Sequence, residues 1–91
     1  MNTEQRLKEI QSRLEAALEP ETVQVEDEGH NHVGHEGARD GRGHFHVLVV
    51  SEHFQGKLPI QRHRMVYQAM GELMQTDIHA LAIDAYTPEE L

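Results

Sequence analysis

Leu7, Ile10, Leu14, Ala17 and Leu18 fall at helical intervals among Glu, Gln and Arg, and Pro20 ends the run, which predicts an amphipathic helix over Thr3 to Leu18 with one dry stripe. The period then changes to two. Thr22-Val23-Gln24-Val25-Glu26 alternates as a half-buried strand does. A second strand is predicted over His44 to Ser51, with Phe45, Val47 and Val49 on one face and His46, Leu48 and Val50 on the other. Its far end is apolar on both sides, which suits a central strand. Pro59 stands at a first helical position, and the helix it opens is expected to run to about Gln75. At about 100° per residue, Val66, Tyr67, Met70, Leu73 and Met74 share one face, with His63 on the same stripe. Met65, Met70 and Met74 lie in or near that face and read as core filler. His79 to Ala85 forms the last predicted strand, with His79 in phase with Leu81 and Ile83, and Thr87-Pro88-Glu89-Glu90 reads as a capped helix start.

The order is helix, strand, strand, helix, strand. A right-handed crossover through the second helix makes the third strand parallel to the second, giving an α+β fold of two layers in which a three-stranded mixed sheet carries both helices on its apolar face. At 91 residues, one domain spanning 1–91 is expected. Phe54-Gln55-Gly56-Lys57 reads as a turn. Between the first two strands, about Asp27 to Gly43, lies a long charged loop with Gly29, Gly34, Gly37, Gly41 and Gly43, expected to be mobile without a ligand.

Composition narrows the chemistry. Acidic residues outnumber basic ones 16 to 8, for a formal charge of −8, which disfavours a nucleic-acid coat protein. There is no cysteine, so the fold has no disulfide framework, and any soft or borderline metal bound here must take imidazole from this chain and thiolate from elsewhere. No apolar run approaches the roughly 18 residues of a membrane span, and the N-terminal residues lead into an amphipathic pattern, so a cytoplasmic protein away from membranes is expected. Five of the eight histidines lie between His30 and His46, which points to a shared metal site. No nucleophile with a paired base, phosphate-cradling loop or carboxylate pair supports an enzyme.

Several ordered motifs together resemble the BolA family: Asp27-Glu28, the His-bearing loop, His44-Phe45-His46-Val47, Phe54-Gln55-Gly56-Lys57, Gln61-Arg62-His63-Arg64-Met65-Val66-Tyr67, His79-Ala80-Leu81-Ala82-Ile83 and Tyr86-Thr87-Pro88-Glu89. The resemblance covers about Thr3 to Leu91. It implies a fold like class II KH domains, a partnership with monothiol glutaredoxins, and a [2Fe-2S] cluster shared with glutaredoxin and glutathione. It also implies that His79, opening the His-Ala-Leu motif, is a cluster ligand, and that a second ligand comes from the loop as His or Cys. A chain without cysteine resembles the His subtype. Spacing alone does not choose between His30, His32 and His35; counted from Asp27-Glu28, the family's loop histidine falls best on His32, with His35 in reserve.

Each candidate has a plainer reading. Histidines in an acidic, glycine-rich loop are commonly just solvated, and His79 without the resemblance would be a satisfied histidine at a strand start. His63, on the stripe of Val66 and Met70, reads first as a structural histidine, and His44 as either a support beside the ligands of a loop metal site or a strand-end polar group. The main rival function is the transcriptional role also described in the family, with DNA held by Lys57, Arg62 and Arg64. Those cations make a poor single surface, because Arg62 and Arg64 are about 200° apart in helical phase. Nor does Phe54-Gln55-Gly56-Lys57 reproduce the Gly-x-x-Gly backbone clamp of KH domains. A free-standing zinc or nickel buffer would need three or four loop imidazoles to converge. The sequence leaves room for a weak homodimer.

Overall fold

The computed structural model describes residues 1–29 and 41–91. Helix α1 (Thr3–Leu18) opens on a reciprocal cap: the Asn2 side chain accepts from the Gln5 N–H at 2.8 Å, and the Gln5 side chain accepts from the Asn2 N–H at 2.9 Å. It closes on Glu19 in the left-handed region (φ 44°), one residue before Pro20. Ile10, Leu14 and Leu18 are its buried stripe.

Strand β1 (Thr22–Asp27) pairs antiparallel with β2 (Gly43–Val50), and β2 pairs parallel with β3 (Ile78–Tyr86), so the sheet order is β1-β2-β3 and β2 is central as its apolar end requires. Phe45, Val47 and Val49 point into a core shared with Ile10, Leu14, Leu18, Phe54, Val66, Met70, Leu73 and Ile78. The fold is the expected two-layer α+β arrangement, with α1 and helix α2 (Pro59–Met70) on one face of the mixed sheet. Buried Ser51 ties the layers together: its hydroxyl donates to the Leu18 carbonyl at the end of α1 and accepts from the His53 N–H at 3.0 Å.

The second helix departs from expectation. It stops at Met70, Gly71 takes φ 57° and ψ −132°, and a separate turn, α3 (Leu73–Thr76), follows. A backbone with that φ suits glycine because it has no Cβ, and this break ends the continuous helix that the Leu73 and Met74 spacing had implied.

The stripe itself is also rotated. Val66 and Met70 are buried, Met65 and Ala69 pack partly against the core, and the Arg62 side chain is 12% exposed. Those five positions centre the stripe between Arg62 and Val66, leaving His63 about 90° from its middle and Tyr67 further round. His63 is therefore exposed instead of structural in the core, and Tyr67 is 41% exposed. The expectation of mobility across the loop falls mainly on residues 30–40, outside the described residues.

Candidate functional site

Parallel pairing brings the starts of β2 and β3 to one corner of the sheet. Gly43 pairs with Ile78 and His44 with Ala80, so across this step β3 carries one more residue than β2, and that residue is His79. A bulge of this kind re-aims a side chain. His79 shares the strand parity of Leu81 and Ile83, as its position predicts, yet it is exposed while they pack partly against the core. The ring of His44 lies 5.0 Å from that of His79, centroid to centroid, at an interplanar angle of 45°. Arg42 Nη2 stands 3.3 Å from His79 Nδ1.

Local hydrogen bonds fix this corner. Arg6 of α1 donates from Nε to Asp77 Oδ1 at 2.9 Å and from Nη2 to the Gly41 carbonyl at 2.6 Å, while the Gly43 N–H donates to the Asp77 carbonyl at 2.9 Å. Buried Asp77 also accepts from the Thr76 hydroxyl at 2.7 Å. The Thr76 hydroxyl, and after it the Arg6 guanidinium, hold the Asp77 carboxyl below the usual carboxylate value, so it stays ionised and keeps its grip on Arg6. On the departing side, the Glu28 N–H donates to the His44 carbonyl at 2.8 Å, and the Gly29 N–H donates to Asp27 Oδ1 at 2.8 Å. Both ends of the histidine-bearing segment therefore meet the sheet beside His44. His30, His32 and His35 themselves lie outside the described residues.

His44 and His79 are thus brought together, and His63 is not. His63 lines a groove of about 400 Å³ with Pro59, Arg62, Ile83, Asp84, Tyr86 and Glu90, toward the opposite end of β3, which removes it as a neighbour of His79. His46, on the sheet face away from the core, engages Asp84, Nε2 to Oδ2, at 2.6 Å. Of the candidate phosphate-binding cations, Lys57 and Arg64 are exposed. Arg62 is engaged: it donates to both carboxylate oxygens of Glu90 and to the Lys57 and Ala85 carbonyls. Sequence reasoning missed Arg6, Arg42 and Asp77, whose roles depend on contacts between segments far apart in the chain. Among the described residues, no three His, Asp or Glu side chains are grouped to hold a metal ion.

A two-layer α+β domain built on a three-stranded mixed sheet is the architecture of a known class. The family model described as BolA-like protein matches residues 14–90. The chain is 42% identical over 81 residues to BolA-like protein 1 of Mus musculus, covering 89% of this chain and 57% of that protein. It is 38% identical over 81 residues to the DNA-binding transcriptional regulator BolA of Escherichia coli (strain K12), covering 89% and 74%. The solved BolA domain of SufE1 from Arabidopsis thaliana superposes with a TM-score of 0.86 at 36% identity, covering 100% of this chain and 99% of that one. This chain belongs to the BolA-like family. It spans between a quarter and just over half the length of the first curated relatives it matches, 24% of SufE-like protein 1, chloroplastic/mitochondrial, of Arabidopsis thaliana and 57% of the mouse protein. Among the described residues, no helix is long and apolar enough to cross a membrane.

Proposed function

We propose that this BolA-like chain is a non-enzymatic cytoplasmic adaptor of the His subtype, which docks on a monothiol glutaredoxin and contributes imidazole ligands to a shared [2Fe-2S] cluster. The observation that carries the reading is the exposure of His79 on a β3 bulge, at the corner where the histidine-bearing segment rejoins the sheet. His79 is the first ligand and His32 the second, with His35 in reserve. The donor set fits a shared cluster: this corner offers imidazole without thiolate, and the sulfur ligands come from the glutaredoxin cysteine and glutathione. His44 flanks His79 at 5.0 Å and helps to fix its ring. Imidazole in place of thiolate lowers the negative charge on a cluster, which raises its reduction potential and makes its release sensitive to pH. The chain's part is to bind, orient and hand over the cluster.

The test is co-expression with a monothiol glutaredoxin, followed by visible absorption and circular dichroism. A chromophore distinct from that of the glutaredoxin alone is expected, and His79→Ala should abolish it while leaving the fold intact and some partner contact in place. His32→Ala should give a milder loss, because His30 and His35 are near in sequence. An unchanged spectrum in the His79→Ala complex would remove the central ligand and with it the reading. The second reading, a DNA-binding regulator, is favoured by the name of the Escherichia coli relative. It draws less from the geometry, since Arg62 is already committed to Glu90.

A further inference from the structure

We propose that Arg42 fixes the tautomer of His79 and must leave it before that ring can bind a metal. The inference rests on His79 being a ligand and adds a control that the ligand assignment lacks. A guanidinium has hydrogen-bond donors only and keeps its charge throughout the accessible pH range. At 3.3 Å from Arg42 Nη2, His79 Nδ1 therefore acts as the acceptor. A neutral imidazole has one lone-pair nitrogen and one N–H, so Nε2 carries the hydrogen.

Metal ligation needs a nitrogen lone pair. A metal at Nδ1 takes the lone pair that Arg42 already uses. A metal at Nε2 requires the hydrogen to move to Nδ1, where two donors would then face each other. Either route breaks the Arg42 contact, so this contact and metal binding exclude one another. The charge of Arg42 acts in the same direction, because it repels an approaching cation. Arg42 is thus a positioning residue: it holds the metal-free ring in one orientation and tautomer and withholds it from adventitious divalent ions. Its position one residue before Gly43, at the step where β3 bulges, puts the guanidinium within reach of the ring.

The experiment uses the whole chain and two readouts. Long-range proton–nitrogen spectra of the neutral His79 ring should show the Nε2–H tautomer in the native protein and a mixed population in Arg42→Met. Titration with Co2+ alone, followed by visible absorption, should show the His79-dependent binding tightened about three- to ten-fold in Arg42→Met, the range expected for loss of one competing exposed hydrogen bond. Arg42→Lys, which keeps the charge and a donor, should restore most of the native behaviour. Repeating the titration on a His79→Ala background leaves the loop histidines and removes only His79, and the effect of Arg42→Met should vanish there. An Nδ1–H tautomer in the native protein, an unchanged Co2+ affinity in Arg42→Met, or a tightening that persists without His79 would each overturn the proposal. These outcomes are separate from the adaptor reading, which stands or falls on whether the glutaredoxin heterocluster needs His79.

Discussion

Arg62 grips Glu90 through two parallel hydrogen bonds, Nη1 to Oε1 at 2.7 Å and Nη2 to Oε2 at 3.0 Å, and its guanidinium lies 5.9 Å from the centre of the Phe54 ring. The same guanidinium donates to the Ala85 carbonyl at 3.1 Å, so it fastens the last turn of the chain to β3 and to the start of α2. The Arg62 hydrogen bond, and then the Thr87 N–H, lower the Glu90 carboxyl from its ordinary 4.5 to about 2. A carboxylate depressed in the folded state adds stability that is fully present above its unfolded value and is lost as pH falls through its folded value. The Glu90 contribution should therefore hold above about pH 4.5 and fade toward pH 2. Glu90→Gln should lower the melting midpoint at neutral pH and flatten its fall across that acid window. Parallel acid profiles for the two proteins would show that the pair contributes nothing.

Gly71→Ala should destabilise the protein by about 1–2 kcal/mol. The native φ of 57° with ψ −132° is a glycine conformation, and forcing a side chain into such a region costs about 1–3 kcal/mol, partly offset by the lower chain entropy of alanine in the unfolded state. The new Cβ would also stand 3.2 Å from Arg13 Nη1, which donates to the Met70 carbonyl at 2.6 Å and helps close α2. Urea unfolding measures the change, and a neutral or stabilising result would mean that the α2–α3 junction relaxes to another conformation.

That junction marks the limit of what periodicity reveals. Thr3–Leu18, the three strands and the central place of β2 were legible because each has a sustained period and a clear stop, such as Pro20 after α1. Gly71 was not, because Leu73 and Met74 continue the helical spacing through it, and a single glycine inside a periodic run costs only about 1 kcal/mol against alanine. His63 was misplaced for a related reason: the stripe drawn through Tyr67 and Met74 was centred too far from Arg62, whose partner Glu90 is 28 residues away. His79 was marked by its motif, whereas its outward turn depends on a register with Gly43 and His44, which only the folded sheet supplies. Arg42 carries no local pattern at all, since its contact with His79 crosses 37 residues of sequence.

Gly43→Ala tests how closely the site corner depends on the core. A Cβ at Gly43 would meet two carbons of the Phe45 ring at 2.6 and 2.8 Å, and that ring is 1% exposed, with little room to yield. Overpacking of this kind costs about 1–3 kcal/mol. The strain should also reach the His79 corner, because the Gly43 N–H is held by the Asp77 carbonyl two residues before His79. The expected outcome is a lower urea midpoint together with amide shifts at Ile78 and His79. A substitution that leaves both unchanged would show that β2 can begin in a different position.

DNA binding by the metal-free chain should be weak, nonspecific and removed by moderate salt. Phosphate affinity comes from releasing counterions, with log K falling by about 0.9 per log unit of salt for each phosphate neutralised. Lys57 and Arg64 are exposed, whereas Arg62 spends its donors on Glu90 and on the Lys57 and Ala85 carbonyls, against a formal charge of −8 for the chain. The two of these three candidates that remain available predict a slope of about −2, well below that of proteins making six or more phosphate contacts. Fluorescence anisotropy on a labelled duplex across a salt series gives the slope directly. A steep slope with sequence-selective retention at physiological salt would mean that a surface beyond these three residues binds DNA, and it would place the regulator reading above the adaptor.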